Sequence, residues 1–277
     1  MPVIEVSDVG DARLADYRHV PDPELLRRGE IFVAEGREVV RTLISRSPYA
    51  ARSVLLTHTA FHALEDVLAP SLPALAVYLV PAGAIEALTG FNIHRGCLAI
   101  GERPPRRGLP ELIQGLRSAG SSLPAASRLV VLEGVGNADN MGGIFRNAAA
   151  FGADAVVLGP GCCDPLYRKA IRVSMGASLR VPFAWADEDW PGSLDGLKGE
   201  GFHVLALTPS PDAVDLARAA ADAPRRVALL AGSEGHGLTE RALAASDLHV
   251  RIPMAPGTDS LNVATAVGIA LHRLFAA

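Results

Sequence analysis

Near-continuous apolar runs recur through the second half of the chain: RLVVLEGV, DAVVLGP, FHVLALTP, RRVALLAG and HVRIPM. Runs without polar alternation predict strands covered on both faces, hence a mostly parallel sheet wrapped by helices. Helix-like segments lie between and after them: GIFRNAAAFG, PLYRKAIRVS, DAVDLARAAA, LTERALAAS and SLNVATAVGIALHRLF. In the first half, the β-like runs EIFVAEG, SVLLT, AVYLVP and GCLAIGER alternate with GREVVRTLIS, TAFHALEDVLA and GAIEALTG. That order predicts a modest βαβαβαβ domain over about residues 25–103. Residues 104–127, rich in proline and small residues with one short helical stretch (PELIQGLR), read as a linker. The expected division is residues 1–103, a linker over 104–127, and a second domain over 128–277.

In a parallel sheet of this kind, chemistry gathers in the loops beyond the carboxyl ends of the strands. Three such loops stand out. The first, GNADNMGG, leads into a helix carrying Arg146, and Asn140 sits where it could cap that helix. Its paired glycines imply close backbone approach, because glycine costs a helix about 1 kcal/mol relative to alanine. As plain structure, Asn140 is only a cap and Arg146 a surface arginine. The second, GSEGHGL, places Glu234 among Gly232, Gly235 and Gly237; such a turn implies approach to a ligand or to another chain segment. A carboxylate there repels phosphate and suits a cationic ligand or an arginine. His236 reads as incidental. In the third, PMAPGTDSLNVA, Ser260 and Asn262 open the last helix, where free N–H groups can hold a ligand.

A dinucleotide fingerprint fails: after Gly134 and Gly136 the third glycine position is Asp139, and no acid ends the next strand. There is no P-loop, no Ser/His/Asp set and no metal-ligand cluster. Cys97, Cys162 and Cys163 have neither disulfide-framework nor zinc spacing, and GCCDP reads as small residues in a turn. What remains (amides, hydroxyls, one acid, one arginine) suits positioning chemistry in which a cofactor already carries the activated group.

Composition narrows this further. The chain is 49% hydrophobic and 20% charged over 277 residues, which fits two packed domains and excludes wholesale disorder. Apolar stretches such as residues 263–271 fall short of a membrane span. The opening MPVIEVSDVGDARL lacks the basic-then-apolar layout of a signal, so a cytoplasmic protein is expected. The net charge of −4 announces no nucleic-acid binder, so a nucleic-acid site must be a local patch. Its cations are nearly all arginine, whose planar fork suits phosphate.

Taken together, NMGGIFR, LLAGSEGHGL and IPMAPGTDSLNVA resemble, in order, the three motifs of the SpoU (TrmH-like) RNA ribose methyltransferases of the SPOUT superfamily. IRVSMGASLRVPF is similar to the stretch between the first two motifs, and FVAEGREVV and HRGCLAIGERP to an accessory substrate domain. The resemblance implies an α/β fold: a C-terminal parallel-sheet trefoil-knot domain preceded by a small ribosomal-protein-like RNA-binding domain. It implies a homodimer and S-adenosylmethionine-dependent methylation of a ribose 2′-hydroxyl, in ribosomal RNA by preference, with transfer RNA as the alternative. Carried onto this chain, Asn140, Arg146, Glu234, Ser260 and Asn262 would serve catalysis, with Asn140 positioning Arg146 or the ribose and Glu234 orienting that arginine or stabilising its loop. Leu207, Thr208, Gly232, Glu234, Gly235, Ile252, Met254 and Leu261 would hold the cofactor, and no metal is implied. RNA would meet Arg28, Arg37 and Arg41 in the first domain and Arg172 beside the catalytic loops. Arg37 and Arg41 share a helix face; alternatively, Arg41 pairs with Glu35 or Glu38. A Rossmann-like nucleotide-dependent enzyme and a catalytically inactive RNA-binding protein are the rival readings.

Overall fold

The computed structural model describes residues 3–18, 31–71, 75–90, 96–117, 122–186 and 188–275. The chain forms two compact units, Met1–Pro105 with Pro165–Arg180, and Arg106–Asp164 with Val181–Ala277.

The first unit holds strands β1 (Val3–Glu5), β2 (Ile31–Glu35), β3 (Ala51–Leu56), β4 (Ala76–Leu79) and β5 (Cys97–Glu102). Helices α1 (Arg37–Arg46), α2 (His58–Leu68) and α3 (Ala84–Thr89) connect them in the predicted alternation. The sheet order is β1-β4-β3-β5-β2. β1, β4 and β3 run parallel, and β5 is antiparallel to both β3 and β2. β1 was not foreseen. It pairs with β4, and Val6, Leu14 and Tyr17 after it are buried, so the N-terminal segment is part of this core. In β3, Val54, Leu55 and Leu56 are all fully buried, so successive side chains on opposite faces both meet apolar cover. Thr57 caps α2 by accepting from the Ala60 N–H at 3.3 Å.

The second unit begins inside the stretch read as a linker. Helix α4 (Leu109–Leu116) buries Leu109, Leu112 and Ile113 in this unit's core. The linker reading is therefore corrected: i, i+3, i+4 apolar spacing outweighs the flanking prolines. The chain continues through β6 (Ser127–Leu132), α5 (Ala138–Ala150) and β7 (Ala155–Leu158). It then contributes Pro165–Arg180, with helix α6 (Arg168–Val173), to the first unit. It resumes as β8 (Phe183–Trp185), α7 (Gly192–Gly199), β9 (His203–Leu207), β10 (Val214–Asp215), α8 (Leu216–Ala221) and β11 (Arg226–Ala231). α9 (Glu240–Ala244), β12 (Leu248–Arg251) and α10 (Val263–Phe275) complete it.

All seven strands are parallel, in the order β10-β12-β9-β11-β6-β7-β8. From β6 the chain builds outward to β7 and β8, then returns to the other side. The loops after β6, β11, β9 and β12 thus fall side by side along one carboxyl edge. β6 is the anchor: Leu129, Val130, Val131 and Leu132 are fully buried, each burial favourable by about 1.5–3 kcal/mol. Of the first motif's paired glycines, Gly143 faces this unit's last helix. A Cβ on Gly143 would stand 2.9 Å from that of Ala264, and Asn147 Nδ2 donates to the Ala264 carbonyl at 2.8 Å. The close approach inferred from the glycines is helix against helix.

Candidate functional site

A pocket of about 480 Å³ opens at this carboxyl edge, lined from Leu207–Pro209 after β9, Ala231–Leu238 after β11, and Ile252, Met254 and Asp259–Leu261 after β12. Leu207, Thr208, Gly232, Glu234, Gly235, Ile252, Met254 and Leu261 are all in its wall, as is Ser260. Asn140, Arg146 and Asn262 are not among the lining residues.

Asn140 reaches the rim indirectly. Its Nδ2 donates to Glu234 Oε2 at 2.7 Å, and its Oδ1 accepts from Asn262 Nδ2 at 2.8 Å. Asn262 Nδ2 also donates to Glu234 Oε1. Asn262 Oδ1 accepts from the Thr265 N–H at 3.1 Å, which fixes its amide at the start of α10. The three motif segments are thereby closed into one triangle, with an acceptor-only carboxylate opposite two amides. Asn140 does not cap this helix. Asn137 caps α5, accepting from the N–H groups of Asp139 at 2.7 Å and Asn140 at 3.3 Å. That frees the Asn140 side chain, which is only 8% exposed, for the triangle.

Arg146 is exposed on α5 and makes no hydrogen bond or ion pair with any described residue. Neither Asn140 nor Glu234 bonds to it; both are committed to Asn262 and to each other, which fits the loop-stabilising alternative for Glu234.

The glycines of the second motif serve the loop itself. A Cβ on Gly232 would fall 2.3 Å from the Gly237 carbonyl carbon and 2.5 Å from the Leu238 nitrogen. Close approach to another chain segment is the correct alternative at this position. Gly237 adopts φ +67°, a left-handed turn that closes the loop.

Sequence reasoning missed Glu133, which was absorbed into the apolar run VVLEGV. Its side chain is buried and accepts from Trp190 Nε1 at 2.6 Å, the Thr239 N–H at 2.8 Å and Thr239 Oγ1 at 2.9 Å. Thr239 also caps α9. Glu133 thus holds the far end of the loop that Gly232 begins. Its only sequence signal is an acid ending a buried strand. In GCCDP, burial pushes the Cys162 thiol up to about 11 and Cys163 up to about 12, which keeps both as unreactive thiols.

The proposed RNA contacts of the first unit divide. Arg41 forms a two-toothed pair with Asp66, one arm at 3.0 Å, and donates to the Ala63 carbonyl at 3.0 Å. Its partner is therefore neither Glu35 nor Glu38, and its guanidinium holds the Asp66 carboxyl below the usual carboxylate range. Arg172 pairs at 3.0 Å with buried Glu35, a structural tie within this unit that leaves its side chain half exposed. Arg37 Nε is buried without a hydrogen-bond partner. Arg28 lies outside the described residues. Among the described residues no group of three or more His, Cys, Asp or Glu is placed to hold a metal, and no helix is long and apolar enough to cross a membrane.

The sequence profile of the SpoU rRNA Methylase family matches residues 127–272. An uncharacterized tRNA/rRNA methyltransferase of Mycobacterium bovis is 42% identical over 278 residues, covering 99% of this chain and 92% of its own. The 23S rRNA (guanosine(2553)-2′-O)-methyltransferase of Bacillus subtilis is 23% identical, covering 98% of each chain. An AdoMet-bound rRNA methyltransferase from Sinorhizobium meliloti has the same fold, with a TM-score of 0.80 at 23% identity over 98% of this chain and 97% of that one. Fold, site and relatives define the class, a methyltransferase enzyme. The chain belongs to the SpoU rRNA methylase family.

Proposed function

We propose that this chain methylates a ribose 2′-hydroxyl of RNA, with S-adenosylmethionine as donor and ribosomal RNA as the favoured substrate. The observation that carries this reading is the Asn140–Glu234–Asn262 triangle, which joins all three motif segments at the rim of one pocket. The pocket's size falls within the usual range for small-molecule sites, roughly 300–1,000 Å³. Leu207, Leu238, Ile252 and Met254 offer an apolar wall for an adenine ring, and main-chain groups at Gly232, Ile252 and Leu261 offer donors and acceptors. Glu234 and Asp259 are lining acids, and no Arg or Lys is among the lining residues. That charge pattern suits a cationic sulfonium ligand and leaves a dinucleotide pyrophosphate without a cationic partner.

When bound, S-adenosylmethionine supplies a methyl group on a positively charged sulfur, so the protein's task is alignment. The triangle holds the Glu234 loop against the start of α10, where Ser260 offers a hydroxyl to the incoming nucleotide. Arg146, always protonated, contacts the neighbouring phosphate or the ribose oxygen. Because Arg146 stands outside the lining of its own pocket, a homodimer in which each chain's Arg146 serves the other's site completes the arrangement. Placing β11 between the earlier strands β6 and β9 supports a trefoil-knotted catalytic lobe. The first unit is read as a ribosomal-protein-like RNA-binding domain, and an RNA substrate places the enzyme in the cytoplasm.

Calorimetric titration separates this from the Rossmann-like reading: S-adenosylmethionine should bind and NAD should not, and the converse result would overturn the pocket assignment. Mapping ribose methylation in RNA from cells with and without the gene identifies the substrate. A site lost from transfer RNA alone would replace the ribosomal assignment.

A further inference from the structure

The stretch between the first two motifs carries an anomaly that the triangle and the pocket do not use. Met175 sits at φ +52°, the one non-glycine residue at positive φ among the described residues, and it is 49% exposed. A left-handed backbone costs an ordinary residue roughly 1–2 kcal/mol, which glycine avoids. Here a large apolar side chain is kept in that conformation and pointed at solvent.

Everything around it is fixed. Ser174, Ala177, Ser178 and Leu179 are at most 2% exposed. Ser174 Oγ donates to the Ile171 carbonyl at 2.9 Å and accepts from the Ser178 N–H at 3.3 Å. Gly176 packs on Thr42 of α1, with a built Cβ 3.3 Å from the threonine side chain. Buried Glu35 anchors α6 through Arg172 at 3.0 Å and Arg168 at 3.9 Å. Met175 is thus the apolar tip of a rigid turn, all within the first unit. Residues 165–180 carry Arg168, Lys169, Arg172 and Arg180 and no acid, in a chain whose net charge is −4. The single buried carboxylate of Glu35 faces both Arg168 and Arg172, so cations are in excess here. Lys169, Arg172 and Arg180 are exposed.

We propose that Met175 is a nucleobase contact: its side chain packs against an unpaired or unstacked base of the RNA substrate while the flanking cations meet the adjoining phosphates. Apolar side chains are used in this way to hold or separate bases, and cationic surroundings supply the sequence-independent attraction. The inference rests on the RNA-methyltransferase reading. The backbone of this turn is already fixed, so binding there avoids the cost of ordering a flexible loop.

The decisive variant is Met175→Gly, which removes the side chain and relieves the backbone strain, so a folding defect cannot mimic the result. Wild type must first methylate RNA; if it does not, the enzyme reading itself fails. Given that activity, Met175→Gly should keep the wild-type melting temperature or exceed it, bind S-adenosylmethionine unchanged, and bind the ribosomal RNA that wild type methylates about fivefold more weakly. That figure corresponds to burying the exposed half of a methionine side chain. Met175→Leu should restore most of the affinity. Unchanged RNA affinity in Met175→Gly would overturn the proposal, and so would a change in oligomeric state without a change in RNA affinity.

Discussion

Replacing Glu234 by glutamine tests the triangle with almost no change in shape. Each carboxylate oxygen accepts from a different amide, Oε2 from Asn140 and Oε1 from Asn262. A glutamine has one acceptor, so in either orientation its NH₂ opposes one asparagine NH₂. Asn140 is buried, and leaving its donor unpaired costs about 1–3 kcal/mol. The glutamine oxygen therefore turns toward Asn140, and the bond to exposed Asn262 is lost. A net hydrogen bond to a charged group contributes about 1.5–3 kcal/mol, and exposure places this one near the lower end. A loss of about 1.5–2 kcal/mol in holding the α10 start corresponds to a 10- to 30-fold fall in kcat/KM. Methyl transfer from radiolabelled S-adenosylmethionine to RNA measures this directly. Combining Glu234→Gln with Asn262→Ala should cost little more than Asn262→Ala alone, because that substitution already removes the link that Glu234→Gln breaks. Turnover within twofold of wild type in Glu234→Gln, or fully additive losses in the pair, would refute the triangle as an aligning device.

Gly232→Ala forces a Cβ into the Gly237–Leu238 backbone, so it should lower the melting temperature by several degrees and weaken cofactor binding at least tenfold; equal affinity by calorimetry would contradict the loop geometry. At Gly235, where a Cβ meets nothing within 4 Å, alanine should leave the melting temperature unchanged, so any loss of cofactor affinity there reports ligand contact. Arg146→Ala should lose about 10²- to 10³-fold in turnover and keep cofactor affinity; near-normal turnover would remove its assigned role. Arg37→Ala should lower the slope of log K for RNA against log[salt] by about 0.7–0.9, whereas Arg41→Ala, already paired with Asp66, should leave it unchanged. Identical slopes in the two variants would sink that distinction.

The long buried strands of both units were legible because uninterrupted apolar runs leave few alternatives, and the same pattern announced the parallel sheet. Short elements were not: β8 has three residues and β10 two, below any periodic signal, and the glycines of α7 masked its apolar spacing. Local composition misled over residues 104–127, where the core contacts of Leu112 and Ile113 depend on strands far along the chain. Asn140, Glu234 and Asn262 were identified one loop at a time. Their mutual hydrogen bonds span 94 and 122 positions and follow from the strand order, which no local pattern encodes. Charge partners failed for the same reason. Arg41 meets Asp66 on the neighbouring helix, and Arg172 meets Glu35 at a separation of 137. Glycine was read correctly as close approach, but at Gly143 and Gly232 the approaching group is the protein's own chain.

The central claim is transfer to a ribose oxygen, and alkali distinguishes that product from a methylated base. Purified protein is incubated with tritiated S-adenosylmethionine and ribosomal RNA, and the RNA is then hydrolysed in base. A 2′-O-methyl group blocks cleavage at its own 3′ phosphate, so the account predicts label in alkali-resistant dinucleotides, formed about 10²- to 10³-fold more slowly by Arg146→Ala. Label recovered in mononucleotides would show base methylation and contradict the account.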